Sequence, residues 1–165
     1  MRAMPLNDLP YSLFEEETES LPAPALCTVD EVMAREVLAV RPDIDLRTAA
    51  ELMLEHSISG MPVVDEENRL VGMLSKTDLV RHRLEDDVEA SVELLPTGQH
   101  FVDGTTAADV MTRQVLTVPE GSSLAMAAKI MATAGVHRVP VVNPTGALVG
   151  QLSTTDIVRW VAGLP

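Results

Sequence analysis

Two short patterns in this 165-residue chain hold the residue types from which a binding site can be built: Ser75-Lys76-Thr77-Asp78 and Ser153-Thr154-Thr155-Asp156. A carboxylate such as Asp78 or Asp156 can accept two hydroxyl hydrogen bonds. A Ser or Thr hydroxyl can donate to an anion beside a helix N-terminus. Ser-x-x-Asp is also close to an ordinary capping box, and the two roles are compatible. A third feature is one-sided: His137-Arg138 stands where the first copy has Ser59-Gly60. The planar guanidinium of Arg138 suits phosphate, with an ion pair to a nearby acid as the plain alternative. Arg35 and Arg113 could also reach an anion, or serve as solvated or salt-bridged surface groups.

Other chemistries find no support. His56, His82, His100 and His137 lack metal spacing and Cys27 is isolated, so no metal site is expected. Ser75 and Ser153 lack a nucleophile elbow, and neither paired catalytic carboxylates nor a phosphate-loop lysine motif is present, so no enzyme is expected. The net charge of −13 is localised: residues 1–31 and 82–107 hold −11 of it, whereas residues 108–165 carry +1. Nucleic-acid binding is disfavoured for want of a basic stripe and of aromatics, which make up 2%, and an acidic surface argues against anionic membranes. A single cysteine and no apolar run of about 18 residues point to a reducing, cytoplasmic setting.

The elements that position these residues come from an internal repeat. Residues 32–81 match 110–159 at 22 of 50 positions without a gap. Val37–Val40 and Val115–Val118 read as short strands, stopped by Pro42 and Pro119. Leu46, Ala49, Ala50, Met53 and Leu54 make a helical stripe, repeated by Leu124, Ala127, Ala128, Met131 and Ala132. Asp43 or Asp45, and Ser122 or Ser123, suit the N-caps. Two apolar runs split by turn residues follow in each copy, then a final helix from Ser75 or Ser153. The class is α+β: two β-α-β-β-α repeats related by a pseudo-two-fold axis and packed through their small sheets. Residues 1–25 read as an acidic tail, 26–83 and 106–165 as the repeats, and 84–105, with Phe101, as an acidic linker. One copy buries too little to stand alone.

These residues resemble the cystathionine-β-synthase (CBS) domain family, whose domains occur in tandem as a Bateman module. The resemblance rests on the openings Glu31-Val32-Met33 and Asp109-Val110-Met111, the Pro-Val-Val strand, and Gly-x-Leu-Ser-x-Thr-Asp, and covers about residues 29–81 and 106–161. It implies a regulatory pair that binds adenine nucleotides or adenosyl ligands (AMP, ADP, ATP or S-adenosylmethionine) in clefts between the repeats, with no obligatory cofactor. It also implies a homodimer that signals to a separate target protein. Asp78 and Asp156 then take the ribose, with Ser75, Thr77, Ser153 and Thr155 beside the phosphate. The base slot lies along Ser57–Pro62 and Gly135–Pro140, including Ile58, Ser59 and Pro62, and Val136 and Pro140, closed by Val37 and Val115. On this reading His137, Arg138, Ser153 and Asp156 converge in a second-copy site that binds the more phosphorylated ligand. An interaction module with no physiological ligand is the alternative.

Overall fold

Each repeat builds an antiparallel hairpin with a helix on either side of it in sequence. The computed structural model describes residues 27–89 and 104–164; the acidic tail and most of the linker, Phe101 included, lie outside the described residues. In the first copy α1 (Leu46–Glu55) leads into β1 (Gly60–Val64) and β2 (Leu70–Ser75), then α2 (Lys76–Glu89). After a short α3 (Ala107–Val110), the second copy runs β3 (Val118–Pro119), α4 (Leu124–Ala134), β4 (Arg138–Val142), β5 (Leu148–Ser153) and α5 (Thr154–Val161). α2 thus extends into the stretch assigned to the linker.

Local chemistry accounts for the element ends. Asp45 caps α1, accepting from the amides of Arg47 and Thr48, and Ser123 caps α4, accepting from that of Met126. Gly135 ends α4 in the left-handed region at φ 67°, and Ser57, at the matching position, takes φ 54°. The two hairpins pair in matching register, Pro62 opposite Met73 and Pro140 opposite Gln151, each with an irregularity at its last Val-Val pair. Their turns are tied by Asp65, whose carboxylate receives the Glu67 and Arg69 amides, and by Asn143, which receives those of Thr145 and Ala147.

Two expectations need correction. The leading strand shrinks in the first copy to one parallel bridge, Val40 with Val63. In the second it is Val118–Pro119, paired in parallel with Val141–Val142. Pro119 does not stop the strand but lies within it, as an edge position allows. The helical stripes are also narrower than their spacing implies: Leu46, Ala49 and Met53, and Leu124, Ala127 and Met131, are buried, but Leu54 is 70% exposed.

The repeats exchange their lead-in segments. The 3-10 turn Val29–Glu31 precedes the first repeat, yet Val29 and Met33 pack with Leu124, Met131, Val139 and Leu152 of the second. Conversely Ala107 and Met111 pack with Leu46, Met53, Met61 and Leu74 of the first. Backbone bridges hold each exchange, Ala34 with Gln151 and Met73 with Thr112. Gly150 and Gly72 make it possible: a Cβ at either would collide with the thioether of Met33 or Met111. Thr28 and Thr106 start these lead-ins by donating N–H and O–H bonds to Glu31 and Asp109, which lowers both carboxyl pKa values. The hairpins meet where Leu70 N–H donates to Gly146 and Leu148 N–H to Asn68.

Candidate functional site

Because both hairpins join through their turns, the Ser-x-x-Asp helix starts of one repeat face the opening segment of the other. Two clefts result. The first, about 320 Å³, brings Ser75, Thr77, Asp78 and Arg81 of the first repeat against Val115, Leu116, Val136 and Pro140 of the second. The second, about 350 Å³, brings Ser153, Asp156 and Gln151 against Val37, Leu38, Ile58 and Gly60. Both volumes lie in the range of small-molecule sites. They are called here the Asp78 cleft and the Asp156 cleft.

Helix capping fixes the carboxylates. Asp78 Oδ2 accepts from the Ser75 amide at 2.8 Å and from its hydroxyl at 2.5 Å, while the Asp78 amide donates back to Ser75 Oγ at 3.2 Å. Ser153 and Asp156 repeat this at 2.7, 2.7 and 3.2 Å. The capping role is therefore real in both copies, and it commits the proton of each Ser hydroxyl, so neither donates to a phosphate in this arrangement. Asp78 is 6% exposed; its Oδ1 stands 3.4 Å from Arg81 Nη1, a partner the sequence reading missed. The signal was there: Arg81 lies three residues after Asp78 on the same helix.

Several expected placements change. Of the four residues expected to converge, Arg138, Ser153 and Asp156 line one cleft, but they share it with Val37 and Ile58 of the first repeat, whereas Val136 and Pro140 share theirs with Asp78. Repeat alignment could not show this, since it matches copies without saying which packs across which. His137 joins neither cleft; it is exposed and borders an apolar groove of about 380 Å³ between α4 and α5, with Met131, Ile157 and Val158. Ser59 and Thr155 are exposed and Pro62 is buried in β1, all three outside the two cleft linings. Arg35 and Arg113 donate instead to the carbonyls of Asp30 and Ala108, at 3.1 and 2.8 Å, satisfying the preceding turns. Glu36, His56 and Gln151, unforeseen, line the Asp156 cleft.

Arg138 lines both clefts. It begins β4 beside Val136, and its guanidinium donates to the Gly60 carbonyl at 3.4 Å, across the pseudo-two-fold axis. The clefts differ in charge. Asp78 faces Arg81 and Arg138 in one, while in the other Arg138 is the one arginine among the lining residues, which include Glu36, Asp156 and His56. Among the described residues, no His, Cys, Asp and Glu cluster could hold a metal ion, and no helix is long and apolar enough to cross a membrane.

Comparison with known proteins agrees with this architecture. The CBS domain family model matches residues 29–85 and 107–163. The chain is similar to "CBS domain-containing protein CBSX1, chloroplastic" of Arabidopsis thaliana, 31% identical over 156 residues, 85% of this chain and 66% of that protein. It is 31% identical over 122 residues to inosine-5'-monophosphate dehydrogenase of Aquifex aeolicus, covering 74% of this chain but 22% of that enzyme. The solved structure of CBSX2 in complex with AMP superposes with a TM-score of 0.69 at 27% identity, covering 83% of this chain and 97% of that one. With a match to both repeats and the same fold in its structural relatives, the chain belongs to the CBS domain family.

Proposed function

We propose that this chain is a non-catalytic regulatory module that binds an adenine nucleotide or adenosyl ligand in its composite clefts and signals to a separate protein. The observation that carries the reading is the composition of each cleft. An apolar pair from one repeat (Val115 and Val136, or Val37 and Ile58) faces a capped aspartate from the other. Such a site supplies a slot for a base and an acceptor for ribose hydroxyls. AMP in the CBSX2 structure supports the ligand class. The ligand bridges the two repeats, so its binding energy acts on their relative placement, which is how occupancy can reach a partner.

Charge favours the Asp78 cleft for the phosphorylated ligand, since two arginines offset one aspartate there. This reverses the preference drawn from sequence. A homodimer fits the exposed apolar residues on the helices, Leu54, Val80, Met126 and Val158. The buried, unpaired Cys27 suits a reducing compartment such as the cytoplasm.

Thermal shift tests the reading. AMP, ATP or S-adenosylmethionine at about 100 times its Kd stabilises by about 2.7 kcal/mol. The rise in Tm should vanish in the double variant Asp78→Asn, Asp156→Asn, which keeps a capping oxygen. A flat response to every adenine ligand in the unaltered chain refutes the proposal.

A further inference from the structure

Within that reading, one cation stands between two sites. Arg138 borders both clefts, and the matching position of the first repeat is Gly60, where a Cβ would lie 2.9 Å from the Leu74 carbonyl oxygen. No side chain fits at Gly60, so the pseudo-two-fold pair of sites has a single guanidinium on its axis. Its bond to the Gly60 carbonyl, at 3.4 Å, is long and readily exchanged for an anion. Without Arg138, the Asp156 cleft has two carboxylates, Glu36 and Asp156, and among its lining residues no permanent cation. The Asp78 cleft still has Arg81.

We infer that Arg138 couples the two clefts, so that a phosphorylated ligand in one disfavours a second phosphorylated ligand in the other. When a nucleotide phosphate in the Asp78 cleft draws the guanidinium to itself, the Asp156 cleft is left acidic and repels a second phosphate. It then takes a phosphate-free adenosyl compound. The pair is thus selective for one nucleotide and one uncharged or cationic adenosyl ligand, and a single arginine sets that selectivity. The inference rests on the adenine-ligand reading above and extends it.

Calorimetric titration of the whole chain with AMP and, separately, adenosine is the test. A charge-assisted contact is worth about one to two decades in affinity. AMP should therefore bind in two steps separated by about tenfold or more, and adenosine in steps separated by much less. Adenosine added to the AMP-loaded chain should bind with the affinity it has for the second step of the free protein. In Arg138→Gln the first AMP step weakens by about tenfold or more while the second, which already lacked the guanidinium, is unchanged, so the separation shrinks. Two AMP steps no further apart than those of adenosine overturn the inference, as does a separation unchanged in Arg138→Gln. The adenosine comparison uses the unaltered chain and stands even if the variant fails to fold. Binding of neither compound overturns the adenine reading and this inference together, whereas AMP binding at independent sites overturns this inference alone.

Discussion

Replacing Met33 by Ala should loosen the repeat that Met33 does not belong to in sequence. Its side chain is 7% exposed and lies over Gly150, in the core formed by Leu124, Met131, Val139 and Leu152. Truncating a buried Met to Ala costs about 2–5 kcal/mol. Because Met33, 7% exposed, sits at the margin of that core, partial collapse places the cost near the low end, about 2–3 kcal/mol. For a chain of this size each kcal/mol moves Tm by about 2–4 °C, so a fall of about 5–10 °C is expected by calorimetry. Native-state hydrogen exchange distinguishes the exchanged arrangement from a local one. Amides of α4, β4 and β5 should lose protection before those of α1 and β1. Met111→Ala should show the reverse order. If Met33→Ala instead loosens α1 and β1 while β4 and β5 keep their protection, the exchange of lead-in segments is wrong, and with it the composite clefts.

Other perturbations follow from the same geometry. Gly150→Ala should destabilise by about 1–3 kcal/mol, and by more than Gly72→Ala in urea unfolding. Its Cβ would meet the Ala34 carbonyl at 3.0 Å as well as a flexible methionine, whereas Gly72 meets Met111 alone. Ser57→Gly should stabilise the chain by up to about 1 kcal/mol, because Ser57 takes φ 54° where the second copy has a glycine; a lower Tm for this variant refutes the account. The hydrogen bonds from Thr28 and Thr106 lower the carboxyl pKa values of Glu31 and Asp109 below the unfolded ones. Their contribution is therefore complete above the ordinary carboxylate pKa of about 4 and is lost as pH falls through the lowered values. Between about pH 5 and pH 3 the double variant Glu31→Gln, Asp109→Asn should lose less stability than the unaltered chain. Burial, then the charge of Glu31, raises the pKa of the Cys27 thiol. Disulfide reagents should modify it at least about tenfold more slowly in the folded chain than in urea.

What sequence could and could not say divides along one physical line. Most of what is encoded within a single repeat was legible, the short leading strand and the width of the helical stripe excepted. The 3.6-residue spacing of Leu46, Ala49 and Met53 marks a helix, Asp45 and Ser123 mark its start, and Asp65 and Asn143 mark the hairpin turns, because each effect acts over a few residues. Whatever depends on which copy meets which was not. A self-match pairs Val37 with Val115 and Asp78 with Asp156, and both the local and the exchanged arrangement satisfy it equally. Glycines inside strands carried the missing clue. Gly72 and Gly150 interrupt β2 and β5, where a glycine weakens the strand unless something must approach closely. In both copies a methionine occupies that space. The same limit explains Arg138. Sequence marked it, with His137, as a departure from repeat symmetry, but its meaning depends on the axis beside which it stands. A residue that differs between two copies can be a property of one site only if it lies away from the axis. Beside it, the difference belongs to both sites at once, and Arg138, bordering both clefts, has to be assigned to the pair.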